Sequence, residues 1–346
     1  MFAPLPLPRK LGAALRDATH EKTAVRLSAL GDLARLARGG EAEASAALGR
    51  ALTDAIDEVR AGAALGLADA GVEDAIPALI QAARSDVSPR VRQMALLALG
   101  ELATSEHAGA IEVLLAAQRA DAPAERFQAL LALHQLGAAR AQQAIIEGTV
   151  DPDPEVRRIS FRVAEAEWAD QELPELVRAR ARAALSDARD GVRTAAALLL
   201  GHFGDRSGKH RVLELIEGRV AGASLEDEQA AVELAGALGL KEAEPLLERR
   251  AHSFLNRDPL GFHARVTLAK LGNERAIAAI LRGLDSWSFD ARTLAVVAVG
   301  RAGLVQARAR IAELGDRVDR VAAEEALGLL DQAERARALA ERGSDA

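Results

Sequence analysis

Apolar residues recur along the chain at helical spacing, in two kinds of run that alternate. One kind begins with Val-Arg and ends in Gly, as in VRAGAALGLADAG from residue 59. The other follows a short polar connection, as in DAIPALIQAARSD from residue 74. Both are dominated by Ala, Leu, Arg and Glu, which favour helix. Val and Ile occur mostly singly rather than in alternating runs, so we predict an all-α protein without a sheet.

The Val-Arg run, or a run aligned with it, is repeated along nearly the whole chain. Successive copies are 28 to 36 residues apart. A repeat of this length is typical of a solenoid, in which each unit buries its apolar face against its neighbours. Each unit predicts two antiparallel helices, a first helix with the Val-Arg motif and a second helix. The first helices are expected near residues 25, 59, 91, 125, 156, 192, 227, 260, 291 and 319.

The pattern Asp/Ser-Pro-x-Val-Arg-x-x-Ala-Ala-x-Ala-Leu-Gly resembles the short bacterial HEAT repeats, also called phycobilisome-lyase-type HEAT-like repeats, over roughly residues 10–342. The resemblance implies an all-α solenoid of about ten helical hairpins, wound into a right-handed superhelix, that forms one domain over residues 1–346. A Pro-rich N-terminal segment, residues 1–9, precedes the repeats. The family includes scaffolds, adaptors, lyase-type chaperone subunits and a few enzymes, so fold alone does not identify the function.

Acidic residues stand ahead of several Val-Arg pairs, as in DPDPEVRR from residue 151. Asp57, Asp153 and Asp190 lie at nearly the same position relative to the Val-Arg pair of their unit. A residue at this position caps a helix by accepting a hydrogen bond from an unpaired backbone N–H. Pro154 suits the first helical position. A metal site would need carboxylates that converge from several elements, whereas here one residue type recurs once per unit. The pattern therefore favours capping.

An arginine follows the valine, or its equivalent, in most units. The resemblance implies that this arginine reaches the cap aspartate or a carbonyl of a neighbouring unit, so that the arginines form a ladder along the stack. Glu228 and Gly261 occupy this position in the seventh and eighth units, where the ladder is interrupted. The ladder arginines are Arg26, Arg60, Arg92, Arg126, Arg157, Arg193, Arg292 and Arg320.

Aromatic residues, which make up only 3% of the chain, concentrate in one segment. Of the seven Phe and two Trp residues, four lie between residues 254 and 289. Exposed aromatics are enriched in the parts of interfaces that dominate binding, so this segment is a candidate partner contact. Bulky filler between irregular units is the alternative. The candidate contact residues are Phe254, Phe262, His263, Trp287 and Phe289.

Arginines also gather near the ends of the second helices, most densely in ELVRARARAALSDAR from residue 175. In such repeats the second helices line the concave side. A cation at a helix C-terminus complements the helix dipole, which explains many of these residues. The remainder indicate a basic strip for an acidic peptide or a phosphate. Its candidate residues are Arg178, Arg180, Arg182, Arg249, Arg250 and Arg282.

Charge and composition disfavour several classes of function. The net charge of -7 disfavours nonspecific binding to nucleic acid, which requires a surplus of cations. The chain has no Cys, no uninterrupted apolar run of membrane-spanning length and no signal-peptide core, which predicts a soluble cytoplasmic protein without membrane insertion.

Motifs for catalysis are missing from the sequence, including GxxxxGK[ST], GxGxxG, HExxH and GxSxG. Deoxyhypusine hydroxylase, a HEAT-repeat enzyme, holds iron with repeated His-Glu pairs, and this chain has one such pair, His20 and Glu21. We therefore expect no catalytic residues, metal or cofactor.

The sequence as a whole favours a non-catalytic scaffold or adaptor that binds another protein or peptide, an acidic one being an option, on its concave face. One alternative is a HEAT-type enzyme subunit or lyase-like chaperone. Another is a nucleic-acid binder of the HEAT-like DNA glycosylase kind, which the acidic composition disfavours.

Overall fold

The structure, a computed structural model, describes residues 8–137, 140–251 and 258–344. These residues form α-helices and short 3₁₀ turns, with no β-strand among them. The prediction of an all-α solenoid is confirmed. The helices fall into two compact units, Met1–Arg180 and Ala181–Ala346. A single domain over residues 1–346 stays a prediction.

In the unit Met1–Arg180, a leading helix precedes alternating first helices (α2, α4, α6, α8 and α10) and second helices (α3, α5, α7, α9 and α11), and the division between the units falls within α11. The helices are α1 (Leu11–Asp17), α2 (Thr23–Arg38), α3 (Ala42–Ala51), α4 (Asp57–Ala70), α5 (Ile76–Ser85), α6 (Pro89–Leu102), α7 (Ala108–Ala117), α8 (Pro123–Gln135), α9 (Ala141–Gly148), α10 (Pro154–Glu167) and α11 (Glu175–Ala184).

In the unit Ala181–Ala346, first helices (α12, α14, α16, α18 and α20) again alternate with second helices (α13, α15, α17 and α19). The helices are α12 (Asp190–His202), α13 (Lys209–Glu217), α14 (Leu225–Ala237), α15 (Glu244–Ala251), α16 (Gly261–Lys270), α17 (Glu274–Gly283), α18 (Phe289–Ala302), α19 (Arg308–Leu314) and α20 (Arg320–Ser344). Each predicted first-helix position lies within a first helix or one residue ahead of it.

Consecutive first helices pack with almost no space between their backbones. A methyl group added at Gly100 of α6 would lie 2.8 Å from the Ala132 Cβ atom and 3.1 Å from the Ala132 Cα atom of α8. A methyl group at Gly300 of α18 would lie 2.6 Å from the Ala326 Cα atom of α20. The Ala and Gly content of the first helices is therefore a packing requirement, because larger side chains would separate the units.

Several ladder arginines join two chain connections with one side chain. Arg60 donates to both carboxylate oxygens of Asp86, at 2.7 and 2.8 Å, and to the Asp54 carbonyl at 2.9 Å. Arg126 binds the carboxylate of Asp151 in the same way, at 2.8 and 2.7 Å. A bond to the carbonyl six positions earlier is made by Arg26, Arg60, Arg92, Arg126, Arg157, Arg193 and Arg292. Each of these arginines therefore fixes the connection that precedes its own helix.

The carboxylates that accept from the ladder also order the connections in which they lie. Asp54, Asp86 and Asp151 each accept a hydrogen bond from the backbone N–H two residues later, at 2.9, 2.8 and 2.8 Å. The resemblance implied the cap aspartate or a carbonyl of a neighbouring unit as the partner of the arginine. Arg193 does contact Asp190, whereas Arg26, Arg60 and Arg126 contact a carboxylate in the connection ahead of the next first helix, a feature that the sequence analysis missed.

Only one of the three predicted caps has the predicted geometry. Asp153 accepts from the backbone N–H groups of Glu155 and Val156, at 2.8 and 3.3 Å, and caps α10. Asp57 and Asp190 lie inside their helices and make no cap bond, so their prediction as caps was wrong. The reason is a shift of one residue: Asp153 stands three positions before its valine, whereas Asp57 and Asp190 stand two before theirs.

The last ladder position also departs from the prediction. Arg320 is exposed, and its guanidinium pairs with Glu324 of the same helix at 2.8 Å rather than with another unit. Arg292 still joins two connections, but its Nε atom donates to a backbone carbonyl, that of Arg317, at 2.9 Å. The bidentate carboxylate contact is made by earlier ladder arginines, namely Arg60, Arg92 and Arg126.

We predict that Arg126→Ala lowers the free energy of unfolding by about 2–3 kcal/mol, since it leaves the half-buried Asp151 carboxylate and a connection carbonyl without their donor. Arg320→Ala is the matched control, from the same repeat position, and should change stability by less than about 0.5 kcal/mol. Urea denaturation followed by circular dichroism measures both. Equal losses in the two variants would show that the carboxylate contact does not stabilise the stack.

A pH dependence follows from the Asp86 carboxylate. The bond from the Arg60 guanidinium holds the pKa of Asp86 below its ordinary value. A lowered folded-state pKa contributes stability above the unfolded pKa of about 3.9, and that contribution is lost as pH falls through the folded pKa. Asp86→Asn should therefore destabilise the protein by about 1–2 kcal/mol at neutral pH and progressively less below about pH 4. Urea midpoints between these pH values measure the difference.

The exposed Asp74, replaced by Asn, is the control for this pH series. Its variant should match the wild type throughout, because no partner of Asp74 is seen among the described residues. A loss from Asp86→Asn that stayed constant with pH would contradict the assignment.

Candidate partner-binding surface

Large apolar side chains are exposed together where α17 leads into α18. The Trp287 side chain is 94% exposed, Phe289 is 46% exposed and Leu294 is 56% exposed. We name these three residues the aromatic corner. The protein thus presents large apolar side chains to solvent at the start of α18.

The turn that carries the aromatic corner is held by its own polar contacts. Ser288 accepts from the Ala291 N–H at 3.4 Å and caps α18. Arg292 donates to the Ser286 carbonyl at 2.7 Å. Because these contacts do not involve Trp287, the indole is presented by an ordered turn and does not fill a gap between helices.

The other predicted aromatic residues have different surroundings. Phe262 is half-buried and packs against the core of its unit. The imidazole of His263 stands edge-on to the Phe262 ring, and its Nδ1 atom lies 3.0 Å from the Glu233 carboxylate of α14. Phe254 lies outside the described residues. The structure therefore leaves Trp287 and Phe289 as the exposed members of the predicted contact.

Two arginines of the predicted basic strip bond to the ends of neighbouring helices. Arg180 donates to the Ile146 carbonyl and, at 3.1 Å, to the Thr149 hydroxyl. Arg250 donates to the Ile216 carbonyl at 2.6 Å. Both carbonyls lie in the last turn of the preceding second helix, where carbonyls lack the N–H partner four residues later that the helix interior provides. These arginines hold successive second helices together.

Three more members of the strip pair with nearby carboxylates. Arg182 lies 2.7 Å from Asp205, Arg249 lies 3.4 Å from Glu217, and Arg178 lies 3.6 Å from Glu175 in its own helix. Arg282 is exposed and has no ion pair in the described part of the chain. Most of the predicted strip therefore carries its own counter-charge, and its role in binding stays a prediction.

The interruption of the ladder at Glu228 has a counterpart in the second helix of the same unit. The Glu228 carboxylate accepts from the Arg250 guanidinium at 2.6 Å, and Asp258 lies 3.5 Å from the same group. At Gly261, an added methyl group would lie 3.3 Å from the Arg250 carbonyl. In this unit the carboxylate lies in the first helix and the guanidinium in the second helix, the reverse of the usual ladder position. The signal in the sequence is an acidic residue at a ladder position together with an arginine in the following second helix.

Metal-binding groups and membrane-spanning helices are both missing from the described ranges. No group of three or more His, Asp and Glu side chains in residues 8–137, 140–251 and 258–344 could hold a metal ion. None of the helices in these ranges is both long and apolar enough to cross a membrane.

Sequence comparison identifies the repeat in the first part of the chain. The family model for HEAT repeats matches residues 8–100 and 76–164. No curated protein matches the chain in sequence.

Comparison with solved structures extends the likeness in fold. The Escherichia coli protein YibA is 18% identical with a TM-score of 0.57, and the match covers 76% of this chain and 93% of YibA. Kap95p, solved with RanGDP, is 14% identical with a TM-score of 0.50, over 93% of this chain and 51% of Kap95p. The CpcE and CpcF complex of phycocyanin lyase from a Nostoc species is 20% identical with a TM-score of 0.43, over 67% of this chain and 94% of the matched chain.

The two tryptophans should report opposite environments, since Trp168 is only 2% exposed and Trp287 is almost fully exposed. The chain has no Tyr, so its fluorescence comes from these two residues. In Trp168→Phe, the remaining Trp287 should emit at long wavelength and be quenched freely by acrylamide. In Trp287→Phe, the remaining Trp168 should emit at shorter wavelength and be protected. Protection of Trp287 in the isolated protein would contradict its placement on the surface.

Proposed function

We propose that this chain, in which residues 8–164 match HEAT repeats and whose fold is similar to that of YibA, is a non-catalytic scaffold that binds another protein through the aromatic corner. The observation that carries the proposal is the near-complete exposure of Trp287 on an ordered turn, followed in α18 by the exposed Phe289 and Leu294. Tryptophan is among the residues most enriched where truncation costs the most binding free energy.

The physical basis of the proposal is apolar surface that a partner can cover without reorganising the scaffold. Burying a large apolar side chain contributes about 1.5–3 kcal/mol relative to leaving it exposed. Because the Ser288 cap and the Arg292 bond already order the turn, little conformational entropy remains to be lost there on binding. Trp287 is therefore suited to be an anchor.

The partner class is another protein. Kap95p, a structural neighbour of this chain, is named as binding RanGDP, which gives a precedent for a partner protein on this fold. We retain the concave face of the second helices as part of the proposed surface, where Arg249 and Arg282 are exposed. In this arrangement the aromatic corner supplies affinity, and the exposed arginines steer the approach of an acidic partner.

Affinity purification from the native cell, followed by mass spectrometry, tests the proposal. Wild-type protein should retain a defined partner. The amount of partner retained by the double variant Trp287→Ala, Phe289→Ala should be lower by about tenfold or more. The matched control is Leu225→Ala, because Leu225 is an exposed apolar residue of α14 outside the aromatic corner.

The melting temperatures of the double variant and the control should stay close to that of the wild type. Absence of any specifically retained protein, or retention that does not change in the double variant, would refute the proposal. Unfolding of the double variant would show that the aromatic side chains serve packing.

A further inference from the structure

One position of the first helices is buried in most units but not in all. The residue four positions after the ladder position is buried in eight of the first helices. In α16 this position is occupied by Arg265, which is exposed, and in α20 by Glu324. The buried residues at this position are Leu30, Ala64, Leu96, Leu130, Phe161, Ala197, Val232 and Val296. Arg265 therefore stands where an apolar side chain normally fills the space between units.

An apolar groove lies beside Arg265, between α16, α17 and α18. Its volume is about 350 Å³, and its lining includes Phe262, Ile280, Leu294 and Ala298. Arg265 is the one charged residue in this lining as the structure describes it. The groove is thus both apolar and edged by a single cation, which is a combination suited to a ligand with both characters.

The guanidinium of Arg265 has no counter-charge among the residues that the structure describes. It makes no hydrogen bond or ion pair in the described part of the chain, unlike Arg250, which contacts Glu228. Two acidic residues in the neighbouring elements are engaged with other cations or imidazoles: Glu233 contacts His263 at 3.0 Å, and Asp285 contacts Arg310 at 2.7 Å. Asp290 in the first turn of α18 is exposed and does not line the groove. Arg265 is consequently available to a carboxylate from outside.

We propose that this groove binds a short acidic and apolar segment of a partner protein, with an aliphatic or aromatic side chain in the groove and a neighbouring carboxylate on Arg265. The inference rests on the proposed scaffold function and adds the chemistry of the partner. Leu294 belongs to both the groove and the aromatic corner, so one segment can contact both. Specificity comes from the ion pair, because a basic segment would meet an unpaired cation.

A nucleic acid is a poorer match for the same groove. A phosphate could pair with Arg265, but binding along a nucleic acid backbone requires several cations that follow successive phosphates. The groove lining offers one such cation and mostly apolar surface. The experiment therefore includes an oligonucleotide as a competing probe.

A phage-displayed library of random short peptides, selected against purified full-length protein, tests the inference. Wild type should enrich peptides that carry Asp or Glu next to Leu, Ile or Phe. Arg265→Glu should instead enrich peptides with Lys or Arg at the acidic position. Arg301→Glu is the matched control, because Arg301 is an exposed arginine of α18 that does not line the groove, and it should select the same peptides as wild type.

Direct binding of a synthetic peptide from this selection, measured by fluorescence anisotropy, gives the magnitude. Arg265→Glu should weaken binding by about tenfold or more, and exchanging the acidic residue of the peptide for Lys should restore binding to that variant. Leu294→Asp should also weaken binding, whereas Leu225→Asp, a similarly exposed leucine, should not. Circular dichroism establishes that each variant is folded.

The inference is overturned if wild type enriches no peptide, if the enriched peptides lack acidic residues, or if they bind Arg265→Glu as tightly as wild type. It is also overturned if a fluorescein-labelled oligonucleotide binds through Arg265 in place of the peptide. Failure here is distinct from failure of the scaffold function. A partner retained in the native-cell purification through Trp287, but unaffected by Arg265→Glu, would leave the scaffold function standing without this groove.

Discussion

The packing of successive repeats depends on an arginine guanidinium that joins two chain connections. The helices are built largely from Ala and Leu, and apolar packing between them is strong but not directional. Arg60 adds direction, because it binds the Asp54 carbonyl ahead of its own helix and the Asp86 carboxylate ahead of the next first helix. One side chain thereby sets the spacing of two connections, while residues such as Gly100 allow the backbones between them to touch.

Besides Arg320 of α20, departures from this rule lie in the units around α14 to α18. Glu228 replaces the ladder arginine, and Arg250 from the second helix supplies the guanidinium instead. In the following unit, Gly261 provides no side chain at the ladder position, and Arg265 stands at a position that is otherwise buried. The aromatic corner around Trp287 comes one unit later. A stack of repeats tolerates such local change because each unit contacts only its neighbours, so new surface can arise without disturbing distant units.

The sequence predicts the helices well because their signal is local. Apolar spacing and the recurring arginine place each first helix, and Asp153 with Pro154 marks the start of α10. The partners of the arginines are less accessible, since Asp86 and Asp151 lie in connections that become neighbours only when units stack. Arg180 illustrates the limit for binding sites: its position suggests an exposed basic strip, whereas folding brings it to the carbonyl of Ile146 in the preceding second helix. The number of arginines in a segment does not show whether each is exposed or bonded to a carbonyl of a neighbouring helix.

Position-by-position comparison between repeats is the more sensitive guide to function. Phe161 and Arg265 occupy the same position of their units, yet Phe161 is fully buried and Arg265 is exposed beside an apolar groove. An arginine at a core position costs the packing that an apolar residue would contribute, so stability does not explain its presence. The proposed binding of a partner segment would account for it, because apolar surface would supply affinity and one cation would discriminate between segments of opposite charge. The exposed Trp287 follows the same reasoning, since its turn is ordered without it.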